Sequence, residues 1–511
     1  MMFNKTALIY VFDKKNLHIL IPFLERNNYH IYTSQDTLHI INRYIKNKSI
    51  LFSLCNYTKY PEICDGIVKT LHPHIYAGIL GSRDNPSHKN DINNIRAKFF
   101  DLVVINLCPF ENLLQQNLSE NTILDNIDIE RHSLLRSASK NYKHISILSS
   151  PEQYDKFINN KLTNLYLAKS AFTLAMQYDI AINNWINNNE IIGTTYHKIK
   201  PIKYGLNPYM KPSYIYSKNN EKIPFTILNG NPEYIHLLNA HYAIHLVLEV
   251  NKQLGVNCCV SYKHNSPTGV ATTTTLHNND YISFFEARNI DPTSSFGDFI
   301  GYSGTVNSEM ANILKMYITE GIIATDYTFE ALEILKTNKS DKYVILQQTE
   351  LPIRIEYRDV NGATLIQPSN TSVLNKDKIS HINDNNIRND IILGYITLKY
   401  TQSKSICFVY KGKVIGISSG QQNINDAINI AGKKATQWFK SNYDIDIWNS
   451  KQIIMISDSI ISLTDNIETA TNYNVKYIVQ PGGSKHDKEI LEESKKYNIV
   501  MIFTNLRQFT H

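Results

Sequence analysis

Short apolar runs alternate with longer amphipathic stretches along this chain, the pattern of an α/β protein. Ala7–Phe12 reads as a strand, and Lys14–Asn27 as a helix with Leu17, Leu20, Ile21 and Leu24 at helical spacing. Asp101–Leu107 is an almost continuous apolar run stopped by Pro109, typical of a parallel strand covered on both faces. Asn160–Asn188 has helical periodicity and ends in the polar stretch Asn187–Glu190. The next segment, Ile191–Lys200, reads as a linker, and Lys203–Pro208 opens a new unit, which divides the chain into domains 1–199 and 200–511. Beyond it, strands are predicted at Val256–Tyr262, Lys342–Gln347, Ser405–Tyr410, Lys413–Ile417, Lys476–Val479 and Ile499–Phe503. Helices are predicted at Asn229–Leu254 and Asn425–Lys440, while the Asn-rich run Asn383–Asn389 reads as a polar loop. No repeat of 20–50 residues is apparent.

A length of 511 residues exceeds one compact core, and 42% hydrophobic residues argue against global disorder. The 52 Lys+Arg against 46 Asp+Glu leave +6, too small an excess to indicate nucleic-acid binding and compatible with anionic small-molecule substrates. Six Cys over this length form no disulfide framework and include no C-x-x-C pair. The 17 His are scattered without a ligand constellation, so no metal is expected. With no apolar run of about 18 residues there is no predicted membrane span, and the reduced thiols lead us to expect a cytoplasmic protein.

Four segments could carry chemistry. Ser261–Gly269 contains the adjacent Lys263 and His264 between a strand and a Pro/Gly turn. There, an imidazole can shuttle a proton and an ammonium can steady developing negative charge, or the pair can be a plain surface loop. Asp65–Pro73 offers Lys69, Thr70 and His72 beside a proline turn, as an anion site or as solvated side chains. Arg136 and Lys140 share one helix face, facing a phosphate or solvent. Ser294–Asp298 is a Gly-containing turn with hydroxyls. Phosphate-loop and dinucleotide signatures are absent: Gly416–Gly420 is followed by Gln421 and Gln422.

Taken in order, these segments resemble the bifunctional purine-biosynthesis enzymes that join 5-aminoimidazole-4-carboxamide ribonucleotide (AICAR) transformylase to IMP cyclohydrolase. The matching stretches are Asp65–Pro73, Ala77–Leu80, Asp101–Phe110, Asn126–Asn141, Lys203–Pro208, Tyr262–Gly269, Ser294–Asp298, Glu320–Ala324, Lys399–Ser403, Gly416–Gln422 and Thr504–Arg507. The resemblance implies an N-terminal methylglyoxal-synthase-like α/β domain followed by a transformylase region of two cytidine-deaminase-like units. It also implies a homodimer with shared transformylase sites, nucleotide substrates and 10-formyltetrahydrofolate as co-substrate. By resemblance, His264 is the proton shuttle and Lys263 stabilises charge as the amine attacks the formyl carbon. Lys203, Tyr204, His236, Phe296, Gly297, Glu320, Lys404 and Arg507 match nucleotide-binding positions, and Ile424 and Asp465 match folate-side positions. In the N-terminal domain, Lys69, Asp128 and Lys140 match the ring-closing residues, while Lys14, Ser34, Thr37 and Thr70 match the substrate cradle.

Departures cluster at the cradle. The family's Ser-Val-Ser-Asp-Lys is Tyr10-Val-Phe12-Asp-Lys14, its Ser-Gly-Gly-Thr is Ser34-Gln35-Asp36-Thr37, and its Ile-Asp-Ile-Gly-Gly is Ile127-Asp128-Ile129-Glu130-Arg131. An arginine of the family is Ile67 here, and the expected Tyr before Pro109 is Cys108. A carboxylate beside a bound phosphate is repulsive. In the transformylase region, Lys203 replaces an Arg fork, Lys404 and His236 replace Asn, and Ile460 replaces a Phe. Three readings therefore stand: an enzyme of both activities, a transformylase with weak or lost ring closure, and a non-catalytic nucleotide-binding relative.

Overall fold

Apolar runs of three to seven residues build a five-stranded, all-parallel sheet in the first of two units, Met1–Thr195 and Tyr196–His511. The computed structural model describes residues 5–64, 66–188, 190–219, 221–273, 280–338, 342–349, 355–443 and 452–511. Asp65, which opens one of the matching stretches, lies outside them. The strands are β1 (Lys5–Val11), β2 (Tyr29–Thr33), β3 (Leu51–Ser53), β4 (Leu102–Asn106) and β5 (Ser146–Leu148), in the order β3-β2-β1-β4-β5. Six of the seven residues of β1 and all five of β4 are buried, as continuous apolar runs require when helices cover both faces. The helix predicted from Lys14 is α1 (Leu17–Arg26), which buries Leu17, Leu20, Ile21 and Leu24. Two further helices matter for the site: α2 (Glu130–Lys140) and α3 (Asn164–Ile186).

The second unit begins earlier than the linker reading placed it. Residues from Tyr196 are already a strand, β6 (Tyr196–Ile202), paired antiparallel with β7 (Ser213–Lys218); of its seven residues only Ile202 is buried, so it forms no apolar run. An eleven-stranded mixed sheet follows, built from β8 (Phe225–Asn229), β9 (Cys258–Lys263), β10 (Ser266–Thr272), β11 (Asp298–Val306), β12 (Thr319–Tyr327), β13 (Val344–Gln348), β16 (Ile406–Tyr410), β17 (Lys413–Ser418), β18 (Ile453–Ser457), β19 (Val475–Gln480) and β20 (Val500–Phe503). A separate exposed ribbon pairs β14 (Ile355–Val360) with β15 (Ala363–Pro368).

The large sheet is a duplication. In its first half, helix α4 (Tyr234–Leu254) leads into the hairpin β9–β10; α5 (Asp280–Asn289), β11, α6 (Ser308–Lys315), β12, α7 (Phe329–Lys336) and β13 follow. In the second half, α8 (Asn385–Lys399) leads into the hairpin β16–β17, then α9 (Ile424–Asn442), β18, α10 (Thr464–Thr471), β19, α11 (Asp487–Lys496) and β20. The spatial orders β10-β9-β11-β12-β13 and β17-β16-β18-β19-β20 match, and the halves meet where β10 pairs antiparallel with β17 (Val270↔Val414). One core, with residues from α4 and α8, covers one face; the helices following each hairpin make two smaller cores with residues of their own half of the sheet. The Asn-rich run proves to be the start of α8, not a loop: Asp384 caps it by accepting from the Asn386 N–H at 2.8 Å, and residues 390–399 are all buried.

Candidate active sites

The two-residue turn between β9 and β10 is His264–Asn265, with φ of 50° and 56°; this left-handed pair closes a tight hairpin of the kind whose twist matches the strands. The turn is fixed by the Asn265 N–H, which donates to Asn239 Oδ1 at 3.0 Å, while the His264 side chain is exposed. Lys263 reaches across to the loop that leads into β11, where its Nζ donates to the Phe296 carbonyl at 2.5 Å. Next to that carbonyl, Gly297 has φ 71°, and a Cβ placed there would stand 3.8 Å from Glu320 Oε1. Lys263, His264, Phe296, Gly297 and Glu320 thus share one end of the sheet.

Beneath them lies a buried polar network. Arg288 pairs with Asp298 at 2.9 Å and donates to the Ser295 carbonyl at 2.5 Å. Asp298 accepts from Ser261 Oγ at 2.6 Å, and Thr268 donates to Ser261 Oγ at 2.6 Å. Every member of this network is less than a tenth exposed, so the loop carrying Phe296 and Gly297 rests on a rigid polar base.

A second group lies at the start of α4. Lys203 Nζ contacts Glu233 Oε1 at 2.5 Å and lies 5.0 Å from the Tyr204 ring centroid. Burial would raise the Glu233 carboxyl, but hydrogen bonds from Lys203 and Tyr204 and the nearby His236 outweigh it and hold it below the usual range. His236 is buried, and its Nδ1 accepts from the Glu233 N–H at 3.2 Å in a capping box.

The second half of the sheet contributes to the same end, because β17 runs antiparallel to β10 and β18 antiparallel to β16. The Gln402 N–H donates to Ser266 Oγ at 3.4 Å, which sets the Lys404 segment against the start of β10. Lys404 and Gln421 exchange backbone hydrogen bonds at 3.1 and 3.0 Å. Ser403 N–H donates to the Thr510 carbonyl at 2.9 Å, drawing in the tail that carries Arg507, an exposed guanidinium 4.3 Å from the Phe509 ring centroid. Ile424 and Asp465 open α9 and α10 and are joined by Asn425 Nδ2 donating to Asp465 Oδ2 at 2.9 Å.

In the first unit, the loop after β3 and the start of α2 converge. Glu130 Oε1 accepts from the N–H groups of Lys69, Thr70 and Leu71 at 2.7, 2.7 and 3.2 Å. Asp128 is locked by Arg131, 2.7 Å away, whose guanidinium lies 4.3 Å from the Tyr10 ring centroid. Lys69 pairs with Glu62 at 3.4 Å and Lys14 with Asp36 at 3.8 Å, while Ser34 Oγ donates to Thr37 Oγ1 at 3.3 Å. Burial would raise the Asp36 carboxyl, yet the Ser34 hydrogen bond and the cations Lys14, Lys69 and Arg131 hold it below the usual carboxylate range. Lys140 is not gathered with Lys69 and Asp128. It ends α2, about 15 Å along the axis from Glu130, and is exposed.

Among the described residues, no three His, Cys, Asp or Glu side chains converge on a metal position, and no helix is long and apolar enough to cross a membrane.

The family model described as AICARFT/IMPCHase bienzyme matches residues 138–434, more than half of the chain. This chain belongs to that family. Relatives agree over their full length: the bifunctional purine biosynthesis protein PurH of Prochlorococcus marinus (strain MIT 9301) is 32% identical over 99% of both chains. The protein of the same name from Caldicellulosiruptor saccharolyticus is 29% identical over 99% of this chain and all of its own.

Within this bienzyme, sequence reasoning missed the residues that act through others. Glu233, which faces Lys203, is 30 residues away from it, Arg288 carries no motif, and Asp298 stood out only as the end of the Ser294–Asp298 turn, not as the partner of a buried cation. Glu130 was visible only as a departure from a glycine pair. A local signal did exist for the cap, since Glu233 and His236 stand three apart at a helix start.

Proposed function

We propose that the second unit transfers the formyl group of 10-formyltetrahydrofolate to the 5-amino group of AICAR, and that the first unit closes the formylated product to IMP. In the transfer, the amine nitrogen bonds to the formyl carbon while the bond from that carbon to the folate nitrogen breaks. The amine proton passes to His264, a proton returns to the departing folate nitrogen, and Lys263 offsets the negative charge on the formyl oxygen. Ring closure joins the carboxamide nitrogen to the formyl carbon with loss of water.

The observation that carries the reading is the His264 turn, with its imidazole open to solvent and the preceding Lys263 tethered to the Phe296 carbonyl. A base whose neighbour is anchored can meet a substrate without reorganising the strand. Glu320 beside Gly297, Lys404 and Arg507 supply polar and cationic groups for a nucleotide, and Ile424 with Asp465 offers an apolar and acidic ledge for the folate.

The duplicated halves support reading this unit as two cytidine-deaminase-like folds, and the all-parallel sheet supports a methylglyoxal-synthase-like first unit. The exposed apolar residues of β14–β15, among them Ile355, Leu365 and Ile366, would suit a homodimer that shares its transformylase sites. A cytoplasmic location belongs to the same proposal. The test is His264→Ala: formyl transfer should fall at least about a hundredfold, the span of a positioned acid–base group, while closure of supplied formylated intermediate is unchanged. Transfer at the wild-type rate would remove His264 from the mechanism.

A further inference from the structure

Three consecutive backbone N–H groups aimed at one point form a concave anion site, a nest whose fixed dipoles favour a negative charge. In the first unit that point is held by the chain itself: Glu130 Oε1 lies 2.7, 2.7 and 3.2 Å from the nitrogens of Lys69, Thr70 and Leu71. The side chain is almost wholly enclosed, with its residue 4% exposed, and Tyr10 Oη approaches its second oxygen at 3.4 Å. Thr70 is fully buried, and its hydroxyl has no hydrogen-bond partner among the described residues. A donor at the nest is therefore left unused by the carboxylate that fills it.

We infer that Glu130 is an internal anion which occupies the nest of residues 69–71, so that an external oxyanion such as a nucleotide's phosphate binds there only by displacing it. The surrounding charges fit this closed state. Lys69 is directed to Glu62, Lys14 to Asp36 and Arg131 to Asp128, so the cations that would greet an anion are already paired within the unit. A phosphate has more oxygens than the carboxylate and could also engage the Thr70 hydroxyl, which gives it a means to compete. The neighbouring pairs Arg131–Asp128 and Arg131 over Tyr10 hold the first turn of α2 and keep Glu130 turned inward. The inference rests on the ring-closing assignment only for the identity of the competing anion, not for the occupancy of the nest.

The test is calorimetric titration of inorganic phosphate into the full chain, comparing wild type with Glu130→Ala and Glu130→Gln. Glu130→Ala should gain one phosphate site per chain and bind at least about tenfold tighter than wild type, since a charge-assisted competitor has been removed. Glu130→Gln keeps the shape and an acceptor but not the charge. It should fall between the two, and it answers the question if the alanine variant does not fold. Equal phosphate affinity in wild type and in both folded variants would overturn the inference. A gain in phosphate binding with no rise in ring closure would leave Glu130 in its role and instead count against assigning ring closure to this unit.

Discussion

Arg288 Nε donates to Asp298 Oδ2 at 2.9 Å, with the two side chains 7% and 0% exposed. The same guanidinium donates to the Ser295 carbonyl and rests 4.6 Å from the Tyr317 ring centroid, so one cation holds both ends of the loop Ser295–Asp298. Replacing it by Met leaves a buried carboxylate without its cation, a change that typically costs about 3–5 kcal/mol. Arg288→Met should therefore lower Tm by several degrees. Below that temperature it should slow formyl transfer, because the Phe296 carbonyl that anchors Lys263 loses its support. Transfer at the wild-type rate in folded Arg288→Met would show that the loop holds its shape without the pair.

Glu233 competes for the ammonium assigned to the nucleotide. Lys203 lies 2.5 Å from it and is half exposed, so an arriving anion must share or take this cation. Glu233→Gln removes the charge while retaining a side chain able to cap α4. The expected result is a lower KM for AICAR with kcat little changed, at a stability cost of about 1 kcal/mol from the weakened cap. A KM that rises would place Glu233 among the groups that hold the substrate.

Asp390 sits on α8, buried, and accepts from the Gly412 N–H at 2.6 Å. Burial pushes its carboxyl up to about 7, although the backbone N–H groups of Lys411 and Gly412 favour the ionised form. The unfolded chain releases this proton near pH 4, so between about pH 4 and 7 the native state binds more protons than the unfolded one. Linkage then makes this residue's contribution fall as pH rises through that window and level off above it. Asp390→Asn, which carries no charge at any pH, should gain stability relative to wild type from pH 5 to pH 8, by at most about 4 kcal/mol. Urea midpoints at several pH values measure this, and a difference that does not vary with pH would refute the assignment.

Legibility in the sequence followed the range of the interaction. Continuous apolar runs such as Leu102–Asn106 and Ile406–Tyr410 announced themselves, because burial on both faces demands them locally. Lys263 and His264 stood out because their chemistry and their turn are adjacent. The strand at Tyr196 did not, since only its last residue, Ile202, is buried, and the start of α8 did not, since its first turn is polar and only its later residues enter the core. Glu130 could be noticed as a carboxylate in place of glycine, but its role depends on three N–H groups some 60 residues earlier in the chain. The duplication of the second unit is a matter of strand order and helix placement, at a spacing of ~150 residues, and no short-period search could find it.

The duplication does leave one mark in composition, and it can be tested. Gly269 on β10 and Gly416 on β17 occupy matching strands, and a Cβ at either would meet a helix carbonyl at 2.2 Å: that of Ala287 on α5 and that of Ala431 on α9. Both helices lie so close to their strands that only hydrogen fits between. The obstacle is backbone rather than a flexible side-chain tip, so relief requires the whole helix to move outward, and overpacking of this kind typically costs about 1–3 kcal/mol or more. Gly416→Ala should therefore destabilise the second unit, and Gly269→Ala should do so by a similar amount, because the same contact recurs in each half. Chemical denaturation of the two variants checks both statements. If Gly416→Ala unfolds at the wild-type midpoint, the close approach of α9 to β17 is not a constraint and the two halves are less alike in packing than in topology.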